Sequence, residues 1–200
     1  MQAPRKHAHR IFKERNGTMR TFEALRAGIH PRSLYGMRDR GEIEQIARGL
    51  FRLAELPPLG EPDLLTIAKK VPQAVFCLLT ALAFHRMTTQ IPHAVEVALP
   101  RTARVPRLDH PPIKVFRFSP ESLNAGIETH ILDGVAIRVY CREKTLADIF
   151  KYRNKVGLDV ALEALRAYRS QPKRDFQTVM KYARNCRVEN VIRPYLEATL

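Results

Sequence analysis

No stretch of this 200-residue chain stays apolar for long. The longest such run, Ala74–Phe84, is interrupted by Thr80. It falls short of the roughly 20 residues that a bilayer-spanning helix needs and is expected to be a buried helix. Cysteine is scarce. Cys77, Cys141 and Cys186 are odd in number, widely spaced and form no Cys-x-x-Cys pair, which argues against a disulfide framework or a zinc site and fits a reducing cytoplasm. Met1–Arg15 lacks the apolar segment of a signal peptide, so export is not expected. The chain has no Gly-rich phosphate loop, no nucleophile elbow, no His-Glu-x-x-His, no internal repeat and no low-complexity tract.

Two weaker carboxylate arrangements also fail. Nuclease chemistry wants an acidic residue two places before a lysine, and Arg142 stands two before Lys144, so Asp133 with Glu143 and Lys144 does not make that pattern. Glu128 and His130 would share one face of a strand, but Asp133 falls in a turn and leaves a metal set incomplete. No catalytic residue, cofactor or metal ligand is assigned, and the chain is expected not to be an enzyme.

What the chain has in excess is positive charge. Lysine and arginine number 34 against 20 acidic residues, a net +14 with a pI near 10.2. Such a balance favours polyanionic partners and salt-sensitive binding. The excess sits at the two ends: residues 1–56 carry net +6, residues 57–136 net +1 and residues 137–200 net +7. Two basic modules flanking a nearly neutral middle is the economical reading.

The first module has the pattern of a winged helix-turn-helix. Thr21–Arg26 and Pro31–Arg40 read as two short helices joined at Ala27-Gly28-Ile29, with Gly28 free to take the positive φ that ends a helix. Phe22 and Leu25, Leu34 and Met37, and Ile29 supply apolar spacing for a shared core, with small Ala24 at the close approach. Ile43–Ala47 and Leu50–Leu53 form a candidate wing around Arg48-Gly49. Arg32, Ser33, Tyr35, Arg38 and Arg40 on the second helix are residue types that reach phosphates and base edges in a groove. Arg32, Tyr35 and Arg38 fall on one face, and Arg48 at the wing tip can reach backbone or minor groove. A solvated surface charge is the plain alternative for each arginine. Before this module, residues 1–16 are expected to start as a loose basic arm and enter a helix near His9–Arg15, with Arg5, Lys6 and Arg10 able to touch phosphate.

Leu56-Pro57-Pro58-Leu59-Gly60 reads as a linker. A helix follows from Pro62, with Leu64, Leu65, Ile67 and Ala68 as its apolar face, and then a buried helix from Ala74 to about His85. Ala94–Leu99 and Ile113–Phe118 alternate as strands, and Thr129–Leu132 and Val135–Tyr140 flank an Asp133-Gly134 hairpin turn. Residues 61–140 thus read as two helices on a small, mainly antiparallel sheet. From Glu143 the pattern is helical: Leu146, Ile149, Phe150 and Val156, a break at Gly157, then Leu158, Ala161, Leu162 and Leu165, with further helices around Phe176–Tyr182 and Val191–Leu196. Arg142, Lys144, Lys151, Tyr152, Arg153 and Lys155 are a candidate nucleic-acid surface, with a solvated helix face as the equal alternative. The fold class is α+β: a winged domain over 1–56 and a mixed C-terminal domain over 61–200, its sheet within 94–140 and its helices within 143–200.

Arg32-Ser33-Leu34-Tyr35, then Arg38-Asp39-Arg40-Gly41-Glu42-Ile43 and Ala47-Arg48-Gly49-Leu50-Phe51-Arg52-Leu53, resemble the N-terminal domain of AbiEi-type antitoxins. Cys141-Arg142-Glu143-Lys144-Thr145-Leu146-Ala147-Asp148-Ile149-Phe150-Lys151-Tyr152-Arg153 and Gly157-Leu158-Asp159-Val160-Ala161 resemble their C-terminal domain. The resemblance implies the antitoxin half of a type IV toxin–antitoxin, or abortive-infection, system acting in phage defence. It implies a cytoplasmic autorepressor that binds operator DNA, cooperatively or as a dimer. It further implies a domain that opposes a nucleotidyltransferase-like toxin without an obligatory stable complex. The Gly-Ser run followed by Asp-x-Asp of such a toxin is absent here. A stand-alone regulator and a general nucleic-acid-binding module are the alternatives.

Overall fold

The computed structural model describes residues 2–105 and 107–198, with side chains from Lys6 onward. It is an α+β protein. Two compact units divide it: Met1–Pro72 with Ile131–Ile137, and Gln73–His130 with Arg138–Leu200.

The N-terminal unit runs α1 (Gln2–Glu14), β1 (Thr18–Arg20), α2 (Thr21–Arg26), α3 (Pro31–Asp39), β2 (Ile43–Ala47), β3 (Leu50–Leu53) and α4 (Pro62–Lys70). The expected loose arm is therefore helix from Gln2, and Arg5 lies outside the described side chains. Ala8, Ile11 and Phe12 fall at helical spacing and bury one stripe of α1 on the core formed with Met19, Ala24, Ile29, Leu34, Met37, Ile43, Phe51 and Leu53. Burying that stripe orders α1. The sequence pattern does not expose β1, which is three residues long; it pairs antiparallel with β3 in the order β1-β3-β2.

In α2 the buried residue is Ala24, while Phe22 and Leu25 are 47% and 41% exposed. The expected apolar face of that helix is thus corrected: only a small side chain fits where α2 meets the core. Pro31 opens α3, capped by His30 Nδ1 accepting from the Arg32 N–H at 3.2 Å. Past the wing, Arg52 is 4% exposed and donates to Glu44 Oε1 and to the carbonyls of Leu56 and Pro57. Lys69 Nζ donates to the Thr18 carbonyl at 3.0 Å. These bonds fasten the Pro57-Pro58 stretch and α4 to the winged core, which is why the compact unit extends to Pro72 and takes in α4.

The C-terminal unit contains β4 (Val75–Phe76), α5 (Leu78–Phe84), β5 (Val95–Leu99), β6 (Ile113–Arg117), α6 (Pro120–Asn124), β7 (Ile127–Leu132), β8 (Val135–Tyr140), α7 (Arg142–Lys151), α8 (Arg153–Val156), α9 (Leu158–Ser170), α10 (Phe176–Asn185) and α11 (Glu189–Glu197); the 131–137 tip of its β7–β8 hairpin groups with the N-terminal unit. The sheet order is β6-β5-β4-β8-β7. Two pairings, β5 with β6 and β4 with β8, are parallel, and β4 with β5 is antiparallel, so the sheet is mixed where a mainly antiparallel one was expected. The expected helix from Ala74 starts at Leu78 instead, because Val75 and Phe76 pair into the sheet. Apolar runs of that length do not distinguish strand from helix. Leu146, Ala147, Ile149 and Phe150 of α7 sit at the centre of the core, beneath Val160, Ala161, Ala164 and Leu165 of α9 and Val179 and Ala183 of α10.

Candidate nucleic-acid interface

The exposed side of α3 is built by subtraction. Leu34 and Met37 are buried at 0% exposure, so Arg32, Tyr35 and Arg38 are left outward on the same helix. Tyr35 is anchored at its inner edge, T-shaped against buried Phe51 of β3 with centroids 6.1 Å apart. Its outer face carries the Arg38 guanidinium at 5.1 Å. Arg38 also donates through Nε and Nη2 to Asp39 Oδ1 at 2.9 and 2.7 Å. The stack and the ion pair hold its fork in a fixed plane. Arg32, exposed one turn earlier, has no acidic partner among the described residues. Ser33 is half-buried beside it.

Arg40 behaves differently. It is the C-cap of α3, and its Nε donates to Glu42 Oε1 at 2.6 Å, so its charge is locally compensated at the turn into the wing. Arg48 is exposed at the tip of the β2–β3 hairpin, where Gly49 takes φ +70°. The tip is fixed: the Gly49 carbonyl accepts from the Thr21 N–H at 2.9 Å, tying the wing to the first residue of α2. α3 and the wing tip are therefore both braced on the same small core, and both point arginines outward.

The second predicted set is dispersed by the fold. Lys144 is fully buried, its Nζ 2.5 Å from Asp148 Oδ2 and above the rings of Tyr140 and Phe118 at 4.6 and 4.9 Å. It cannot belong to a surface. Arg142 is half-buried and donates to Gln171 Oε1 and to the carbonyls of Pro172 and Lys173, bracing that loop. Tyr152 is half-buried against Phe116 and Phe118, and burial first of all pushes its hydroxyl up to about 12. Arg153 donates to the Phe150 carbonyl at 3.0 Å. Lys151 and Lys155 alone of the six are outward. The reason is position in the fold: α7 is covered by α5, α9 and α10, so charges within its span turn inward or find partners.

Glu128 and His130 do meet, at 3.1 Å, while Asp133 accepts from the Gly60 N–H. Among the described residues no three His, Cys, Asp or Glu side chains gather as a metal site. All three cysteines are free and buried, and desolvation raises their thiols, that of Cys186 to about 11. Among the described residues no helix is long and apolar enough to cross a membrane.

Comparison with known proteins bears on the winged domain directly. No curated protein matches the chain significantly. The fold is similar to that in the crystal structure of the RV2827C protein from Mycobacterium tuberculosis: TM-score 0.53, 13% sequence identity, covering 92% of this chain and 76% of that one. At that identity the likeness concerns fold. Residues 10–54 match the family model described as a transcriptional regulator, AbiEi antitoxin. The likeness to AbiEi antitoxin regulators thus rests on these 45 residues, which lie in the winged domain.

Proposed function

We propose that the protein reads its own operator DNA through the winged domain, acting in the cytoplasm as an autorepressor, and that it opposes a nucleotidyltransferase-like toxin as part of a phage-defence system. The observation that carries the DNA-reading half is the outward row Arg32, Tyr35 and Arg38 on a helix whose other face is buried, with Arg48 braced on the adjoining wing. The antitoxin half is supported by the match of residues 10–54 to the model described as a transcriptional regulator, AbiEi antitoxin.

In this mechanism α3 enters a major groove. Arg32 presents a free guanidinium, suited to a two-bond interaction with guanine O6 and N7. Arg38 arrives already oriented on Tyr35 and exchanges Asp39 for a phosphate or base edge. That exchange is inexpensive because an exposed ion pair is worth only about 0–1 kcal/mol. Arg48 holds flanking backbone, and Ser33 and Tyr35 contribute neutral donors. Arg40, paired with Glu42, shapes the turn more than it grips DNA.

The test is a salt-series gel shift on the protein's upstream DNA and on a scrambled duplex, with Arg32→Ala and Arg38→Ala variants. Removing the two-bond interaction at Arg32 lowers operator affinity by about 5- to 150-fold, equivalent to roughly 1–3 kcal/mol. Equal affinity for both duplexes, unchanged by the substitutions, refutes operator reading. Co-expression with a nucleotidyltransferase-like toxin of an AbiE-type system tests the antitoxin half: rescue of growth supports it, and absence of rescue leaves a stand-alone regulator.

A further inference from the structure

The C-terminal unit has an exposed cluster of cations away from α7 that make no ion pair among the described residues. Arg166 and Arg169 stand outward near the end of α9, Lys173 and Arg174 on the loop that follows, and Arg86 on the turn after α5. Arg86, Arg166 and Ser170 line one concavity of about 330 Å³ with Thr88, Thr89 and Glu163. Arg174 Nη1 donates to the Arg169 carbonyl at 3.1 Å, which places the loop cations against the helix end.

Two features set this cluster apart from scattered surface charge. First, the five cations outnumber the two neighbouring carboxylates, Glu163 and Asp175, which stay charged but are held by neutral donors. Glu163 accepts from Thr88 Oγ1, the Thr89 N–H and Thr89 Oγ1 at 3.1, 2.6 and 2.8 Å. Asp175 caps α10 by accepting from the Thr178 N–H and hydroxyl at 3.0 and 2.6 Å. Neither is ion-paired to the five cations, whereas Arg184 and Arg193 on α10 and α11 share Glu189. Second, the loop is held from behind. Arg142 donates to Gln171, Pro172 and Lys173, Gln171 Nε2 donates to the His85 carbonyl at 2.8 Å, and the Asp175 N–H donates to the Tyr168 hydroxyl at 2.6 Å. A favourable helix dipole explains a cation in the last turn of α9, such as Arg169. It does not explain Arg86, which belongs to another element, or Lys173 and Arg174, which lie past the helix end.

We propose that Arg86, Arg166, Arg169, Lys173 and Arg174 form a second polyanion site that binds the phosphodiester backbone of a nucleic acid independently of the winged domain. Four of the five are arginines, whose planar forks match phosphate oxygens two at a time. The fixed loop presents them without the ordering cost of a mobile one. Arg142 is a positioning residue here: its guanidinium points inward and shapes the loop.

The experiment uses the full chain with Arg32→Ala, Arg38→Ala and Arg48→Ala in every sample and probes that lack the operator, so the success or failure of operator reading does not enter the result. Binding to a random-sequence DNA duplex and to an RNA hairpin is followed by fluorescence anisotropy from about 50 to 200 mM salt, with and without Arg166→Gln, Arg169→Gln and Arg174→Gln. Every phosphate that is no longer neutralised flattens the slope of log K against log salt by about 0.9 on duplex DNA, so roughly 2.7 is expected for three. Flattening on the duplex identifies DNA as the source of phosphate, and flattening on the hairpin alone identifies RNA. An unchanged slope on both probes overturns the proposal, including the case where the cluster serves an acidic protein instead. If the triple variant does not fold, Arg86→Gln alone is read the same way, with a change of about 0.9 expected and no change overturning the site.

Discussion

Replacing Lys144 with methionine isolates what the core of the C-terminal unit requires. Lys144 and Asp148 are both 0% exposed and 2.5 Å apart, one helical turn from each other on α7. Methionine keeps nearly the same length and apolar bulk, so the cavity term is small. What remains is a buried carboxylate whose Oδ1 accepts from the Cys186 thiol at 3.1 Å. Breaking a buried pair from one side costs about 3–5 kcal/mol, because the orphaned charge keeps its desolvation penalty. For a chain of this size that lowers Tm by roughly 6–20 °C. Removing both partners in Lys144→Met with Asp148→Leu removes the orphan, so the double variant recovers most of the loss. The assay is urea and thermal unfolding followed by near-ultraviolet tyrosine dichroism. Five of the six tyrosines, Tyr140, Tyr152, Tyr168, Tyr182 and Tyr195, lie in the C-terminal unit, so the signal reports on the right transition. A single variant that loses less than about 1 kcal/mol, or a double variant as unstable as the two singles added together, refutes the reasoning.

Three other outcomes follow from the same geometry. Arg142→Ala is expected to accelerate tryptic cleavage after Lys173 and Arg174, since three hydrogen bonds bracing that loop are removed; unchanged cleavage kinetics at these sites would count against its bracing role. Gly126→Ala is expected to destabilise the C-terminal unit by about 1–3 kcal/mol, because Gly126 has φ +70° and a Cβ there would stand 2.8 Å from Lys144 Cβ; an unshifted denaturant midpoint refutes it. Glu163 is held below its ordinary value of 4.5 chiefly by the Thr89 N–H, and then by the Thr89 and Thr88 hydroxyls. A lowered folded-state value makes its contribution to stability full above 4.5 and lost as pH falls through that lower value. Glu163→Gln should therefore flatten the acid limb of the stability profile, and an identical limb in the variant shows that the three bonds do not matter.

Much of the winged domain is legible because its signals are local. Pro31 at a helix start, Gly28 and Gly49 at positive φ, and buried Leu34 and Met37 three apart each act within a few residues. The parts that escape such reading depend on distant partners. β1 is three residues whose strand character exists only against β3. The β5–β6 pairing is parallel over five residues although nothing within either strand encodes direction. Phe22 and Leu25 have helical spacing, yet Ala24 is buried instead, since the gap between α2 and the core is set by the neighbouring helices.

Charge poses the harder version of the same problem. A count of basic residues points to both ends of the chain, but a count cannot say which guanidinium is free. Arg32, Arg38 and Arg40 lie within nine residues, and only their partners separate them: none among the described residues for the first, Asp39 with Tyr35 for the second, Glu42 for the third. In the C-terminal unit the error of scale is larger. The basic run singled out in the sequence, Arg142–Lys155, begins in α7, which is covered on several sides, so Lys144 goes to Asp148 and Arg142 to a loop carbonyl set. Arg86 and Arg166, 80 positions apart in the chain, make no ion pair among the described residues and line one concavity with Glu163. Density along the chain measures how many charges must be accommodated, whereas the capacity to bind a polyanion depends on how many are left over once the fold has used its own carboxylates and carbonyls. The decisive comparison is therefore between substitutions at Lys151 and Lys155, in the run singled out from sequence, and those at Arg166 and Arg174, which the fold groups with Arg86. If the first pair alters the salt slope and the second does not, uncompensated charge in the folded chain is the wrong guide to the binding surface.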